Sequence, residues 1–73
     1  MRMYLVEQRF KLDYSINHVC RLTGMDKHHY RRIETGKIER VGFVTFCQIA
    51  SVLEISFEEL FEKEVEYLTM RNK

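Results

Sequence analysis

The chain has 73 residues, 45% of them hydrophobic and 32% charged, with two cysteines and no proline, which is enough for one small domain and leaves little room for a substrate cleft. No apolar run approaches the roughly 20 residues of a membrane span, and Met1 to Tyr4 lack the basic start and long apolar stretch of a signal peptide, so a cytoplasmic protein without a membrane partner is expected. The formal net charge of +1 hides an asymmetry: residues 1–40 carry nine Lys and Arg against five acids, net +4, whereas residues 41–73 carry three against six, net −3.

The lack of proline, the three glycines and a clear 3.6-residue apolar period predict an all-α chain of five helices, with no alternating strand pattern longer than a few residues. Helix one is expected over about Met3 to Leu12, with Leu5, Val6, Phe10 and Leu12 as core candidates and Asp13 in its C-terminal turn. Ser15 is a good N-cap for helix two, in which Ile16, Val19, Cys20 and Thr23 follow an i, i+3, i+4, i+7 stripe that leaves Leu22 outside it. Gly24 suits the left-handed residue that ends a helix and Asp26 the N-cap of the next, so only a tight turn separates helix two from helix three. That is the grammar of a helix-turn-helix. Gly36 ends helix three, and a loop from Lys37 to Val41 leads to Gly42, the expected N-cap of a helix four running roughly Phe43 to Leu53 with Phe43, Phe46, Ile49, Ala50 and Leu53 inside. Ser56 and Glu59 form a capping box, so helix five starts at Phe57, and its stripe of Phe57, Leu60, Phe61, Val65 and Leu68 carries it to about Thr69. There are no repeats, linkers or low-complexity segments, and residues 1–73 read as a single domain.

Helix three has two faces. At about 100° per residue, Tyr30, Ile33 and Glu34 share one side, His28 and Arg32 point nearly opposite, and Lys27 and Arg31 occupy one flank with His29 on the other. A helix anchored on one side and rich in hydrogen-bond donors on the other can dock into a domain and offer its N-terminal half to a major groove.

Arg9, the pair Val19-Cys20, the turn Gly24-Met25-Asp26, the run Ile33-Glu34-Thr35-Gly36-Lys37, then Thr45, Ile49-Ala50, Leu53-Glu54-Ile55-Ser56 and Glu58-Glu59-Leu60-Phe61 follow one another with fixed gaps. This ordered set, over about residues 5–61, resembles the Xre/Cro-type helix-turn-helix family of bacterial and phage transcriptional regulators. The resemblance implies a five-helix Cro/repressor-like DNA-binding domain with the helix-turn-helix in helices two and three, followed by a C-terminal helix extension at about 62–70. It implies base or groove-edge contacts from Lys27, His28 and Arg32, joined by Arg31 on the exposed face, and phosphate contacts from Lys37, Arg40 and Thr45, with His29 on the flank. Ile16 stands where the family commonly has a glutamine that braces the DNA backbone, so its phosphate contact falls to the backbone amide. An Arg9–Glu34 bridge is implied across helices one and three. The chain departs from the family pattern at Asp13 and Glu54, where glycine usually ends a helix, and at Val41, where proline is usual; the first two cost up to roughly 1 kcal/mol each if left-handed.

Other chemistry is poorly served. Cys20 and Cys47 lie 27 positions apart without a Cys-x-x-Cys pair, and adjacent His28 and His29 diverge by about 100°, so these residues with His18 do not compose a zinc site. A Cys–His catalytic pair needs a pocket and an oriented base, and neither is indicated. The expected function is therefore a sequence-specific DNA-binding regulator, a repressor that occludes a promoter, with no enzymatic activity, cofactor, metal or small-molecule ligand. The alternative is a protein-interaction module of the same fold, an antitoxin or an anti-repressor partner; DNA binding weakens steeply with salt and an apolar protein interface does not. The apolar stripe continues past the family match through Val65 and Leu68, with Tyr67 and Met70 nearby, which predicts a homodimer built on helix five and an inverted-repeat operator in double-stranded DNA. Glu62, Lys63, Glu64, Glu66 and Arg71 are expected to keep the rest of that helix solvated.

Overall fold

The computed structural model describes residues 1–71 and contains five helices: α1 (Met3–Lys11), α2 (Ile16–Thr23), α3 (Lys27–Glu34), α4 (Phe43–Val52) and α5 (Phe57–Arg71). Among the described residues there is no strand. Each helix contributes at least one side chain to a single core, with Leu5 of α1, Val19 of α2, Tyr30 and Ile33 of α3, Ile49 of α4, Leu53 at its C-cap and Leu60 of α5 all withdrawn from solvent. Full burial of an aliphatic or aromatic side chain of this kind stabilises by about 1.5–3 kcal/mol. α2 sits at the centre, against both α3 and α4; α1 packs on α3, and α5 packs on α4.

The helix boundaries follow from local chemistry. Ser15 accepts a hydrogen bond from the His18 amide at 3.1 Å, Asp26 from the His29 amide at 3.1 Å and Ser56 from the Glu59 amide at 3.1 Å, so α2, α3 and α5 each begin on a side-chain cap. Gly24 ends α2 at φ +75°, and Gly36 follows α3 at φ +86°. Asp13 and Glu54 also adopt the left-handed conformation, at φ 58° and 54°, after α1 and α4. A β-carbon on Gly24 would meet nothing, whereas one on Gly36 would stand 2.6 Å from the Tyr67 hydroxyl. Gly36 is thus required by crowding as well as by its backbone angle.

Three expectations from apolar patterning are corrected. Phe10, expected in the core, is 67% exposed, because the inward position beside it belongs to Arg9, whose guanidinium lies 5.0 Å from the Phe10 ring centroid. Phe43, also expected inside, is 68% exposed at the first residue of α4, where its ring meets the edge of Phe57 at 5.1 Å on the surface. Glu64, expected to keep α5 solvated, faces the domain instead, while Arg71 stays exposed as expected but reaches back to the domain. Glu64 is buried and paired with Arg2 at 2.9 Å, and Arg71 donates to the Gly36 carbonyl at 3.0 Å. The inward edge of α5 is therefore Leu60, Glu64 and Tyr67, spaced four and three apart, with Arg71 exposed at its end, while Phe61 and Val65 are left outside.

Candidate nucleic-acid interface

α3 is held rigidly from the domain side. Tyr30 and Ile33 are buried in the core, and Glu34 is buried against Arg9, which donates from Nη2 to Glu34 Oε1 at 2.9 Å and from Nε to Oε2 at 3.1 Å. Arg9 also donates from Nη1 to the Tyr14 carbonyl at 3.0 Å, so one side chain joins α1, the α1–α2 turn and α3. The hydrogen bonds to Glu34 raise the Arg9 pKa over the opposing effect of burial, which keeps the guanidinium charged. Tyr30 lies in the same region without a hydrogen-bond partner for its hydroxyl among the described residues, and burial followed by the charge of Glu34 pushes its phenol pKa up.

With that face committed, Lys27, His28, His29, Arg31 and Arg32 are all exposed on the rest of α3. Lys37 and Arg40 are exposed on the segment that follows, Thr45 is half-buried in the first turn of α4, and Ile16 is half-buried against the core at the start of α2. The α2–α3 turn that sets the angle of this surface is short: Thr23 Oγ1 accepts from the Met25 amide at 3.2 Å, Met25 packs on the core, and Asp26 caps α3. The capped helix thus has one face locked into the core and five donor-bearing side chains exposed on the rest of its surface. A family model described as the Cro/C1-type HTH DNA-binding domain matches residues 10–66.

The chain belongs to the Cro/C1-type helix-turn-helix family. The match begins within α1 and runs into the second half of α5, covering the whole of α2, α3 and α4. This is a fold of DNA-binding regulators and not of enzymes. Comparison with curated proteins and with solved structures gives no match. Among the described residues no group of three His, Cys, Asp or Glu side chains converges as a metal site, no helix is long and apolar enough to cross a membrane, and burial pushes the Cys20 thiol pKa up, which favours its protonated form.

One cluster of this Cro/C1-type domain has no counterpart in the apolar pattern of the sequence. Arg2, two residues into the chain, is completely buried, and its guanidinium makes five hydrogen bonds: Nη1 to the Ile33 and Ile38 carbonyls at 2.7 and 2.8 Å, Nη2 to the Glu39 carbonyl at 2.8 Å, and Nε and Nη2 to the two carboxylate oxygens of Glu64 at 2.9 and 3.0 Å. Tyr4 donates a hydrogen bond from its hydroxyl to the same carboxylate. Burial by itself would lower the Arg2 pKa, but the bonds and charge of Glu64 outweigh it and the net shift is upward. Glu64 lies 62 positions from Arg2 among the many acids of α5, so no local spacing rule points to the pair.

Proposed function

We propose that this DNA-binding regulator reads sequence in the major groove with α3 and acts as a dimeric repressor that blocks a promoter, working in the cytoplasm where its DNA is. The observation that carries the reading is the division of α3 into a buried edge of Tyr30, Ile33 and Glu34 and an exposed edge of Lys27, His28, Arg31 and Arg32. Arg32 is the strongest base reader, since a guanidinium can donate two parallel bonds to guanine O6 and N7. Phosphate contacts are assigned to His29 on the flank of α3, to Lys37 and Arg40 after it, to Thr45 at the start of α4 and to the backbone amide of Ile16, whose side chain is occupied with the core.

Dimerisation is assigned to the outer side of α5. Val65 is 46% exposed and Phe61 50% exposed, Leu68 is half-buried beside them, and Phe43 extends the apolar surface onto α4 through Phe57, which it meets at 5.1 Å and which stacks on Phe61 at 5.9 Å. A contiguous patch of this sort supports an isologous contact with a second copy. Tyr67 contributes least to it, because its ring lies 4.9 Å from the Arg2 guanidinium and its hydroxyl accepts from Arg71 at 2.8 Å.

Selection of bound fragments from a random DNA pool by the full chain tests binding, specificity and palindromy together. An enriched inverted repeat is expected. Recovery of unenriched sequence at every salt concentration would refute base reading. On the enriched site, Arg32→Ala should lower the ratio of specific to nonspecific affinity, whereas Lys37→Ala should weaken all sequences about equally and leave that ratio unchanged.

A further inference from the structure

We infer that Arg2, held by Glu64, is a positioning residue for phosphate binding: it fixes the backbone between Lys37 and Arg40 and thereby couples α5 to the DNA-facing loop. The inference rests on the reading above, in which Lys37 and Arg40 meet phosphates. Its own evidence is the bonding of a single guanidinium. An arginine side chain has five N–H donors, and Arg2 has five acceptors within 3.0 Å, so none of its hydrogen-bonding capacity is spare.

Three of those acceptors are backbone carbonyls, and they are not scattered. Ile33 lies in the last turn of α3, and Ile38 and Glu39 are the two residues between Lys37 and Arg40. The Arg2 amide donates to the Glu34 carbonyl at 2.8 Å, and the Ile38 amide donates to the Arg32 carbonyl at 3.1 Å, so the segment is tied to α3 from both sides. An exposed loop carrying two cations holds phosphate well only if its side chains start from fixed points, because ordering them on binding costs free energy. Glu64 supplies the remaining two acceptors and Tyr4 braces the carboxylate, while the Tyr67 ring lies against the guanidinium. Glu64 and Tyr67 are on α5, the helix that carries Val65. A shift of α5 at its outer face therefore moves the support of the loop, and the dimer contact and the phosphate contacts are joined through one buried ion pair.

The test compares Arg2→Lys and Glu64→Gln with the parent and with Leu5→Ala, a core truncation that removes none of these hydrogen-bonding groups. Lysine keeps the charge but has three donors for five acceptors; glutamine keeps the shape of Glu64 without its charge. The quantities read are the slope of log affinity against log salt, at a temperature where circular dichroism shows every chain folded, and amide hydrogen exchange at Ile38. Arg2→Lys and Glu64→Gln should each reduce the magnitude of the slope by about 1, with the specific-to-nonspecific ratio unchanged, and should speed exchange at Ile38. Leu5→Ala should lower the melting temperature while keeping the parental slope. Parental slopes in both pair variants, or an equal loss of slope in Leu5→Ala, would overturn the inference. Should Arg2→Lys not fold, Glu64→Gln carries the decision alone. A parent whose own slope is unaffected by Lys37→Ala and Arg40→Ala would instead sink the phosphate reading, a result distinguishable because it does not involve Arg2.

Discussion

Arg9 and Glu34 are nearly withdrawn from water, with side-chain exposures of 9% and 5%, and each is the other's main compensation for lost hydration. Truncating one partner strands a buried charge, so Glu34→Ala should destabilise the domain by about 3–5 kcal/mol in denaturant melts. A melting curve that overlays the parent would show that the pair contributes nothing net. The neighbouring Tyr30 makes the opposite case, because its buried hydroxyl has no hydrogen-bond partner among the described residues and deleting it removes a polar group that gains little from folding. Tyr30→Phe should be neutral or stabilising, while Tyr4→Phe, which breaks a bond to a carboxylate, should cost about 1.5–3 kcal/mol. The two phenols also set an alkaline limit. Burial is the first cause of the upward shift of both folded-state pKa values, so their contribution to stability is complete below the unfolded value of about 10 and is lost as pH rises beyond it. Melting temperatures followed from pH 9 to 11.5 should fall less steeply in Tyr30→Phe than in the parent.

At the scale of elements, two left-handed glycines separate two causes of the same requirement. Gly24→Ala and Gly36→Ala should both lose about 1–2 kcal/mol to the left-handed backbone. Only Gly36→Ala adds a collision, with the Tyr67 hydroxyl, and a melt showing equal losses would mean that α5 yields there without cost. Conversely, Asp13→Gly should stabilise by up to about 1 kcal/mol, since its φ of 58° is strained for a side chain and easy for glycine. The helix starts were legible because a cap is chemistry between residues three apart: Ser15, Asp26 and Ser56 each bond the amide that their spacing indicates. The exposed edge of α3 was legible for the same reason, since its periodicity is read within eight residues. Apolar counting misplaces Phe10 and Glu64 because it cannot see a charged residue turned inward, and Phe43 because the first residue of α4 keeps its ring on the surface against Phe57. Arg9 takes the position that would have buried Phe10, and Glu64 goes inside only because Arg2 is there to meet it from the other end of the chain.

For the whole molecule, the described chain spans 34 Å along its longest Cα axis and presents a single α3, so under the proposed reading one copy would occupy one stretch of groove. Two copies related by a two-fold axis would set their α3 helices about 34 Å apart and meet successive major grooves on one side of the duplex. The side of α5 that turns away from the domain is the proposed seam for such a pair, with Phe61 and Val65 exposed and Glu62 and Glu66 on its flanks. Light scattering at tens of micromolar should accordingly report twice the 8.9 kDa chain mass. Phe61→Glu together with Val65→Glu should return the chain to a monomer with unchanged helix content, because both side chains already lie outside the core. Leu68 is a poorer choice for this variant, being half-buried, and Tyr67 poorer still, since it supports Arg2. The dissociated variant should retain weak, salt-sensitive binding to a half-site and lose its preference for an inverted repeat over a single half-site. A parent that stays monomeric both free and on DNA, or a double variant that keeps the repeat preference, would remove the outer face of α5 from operator recognition.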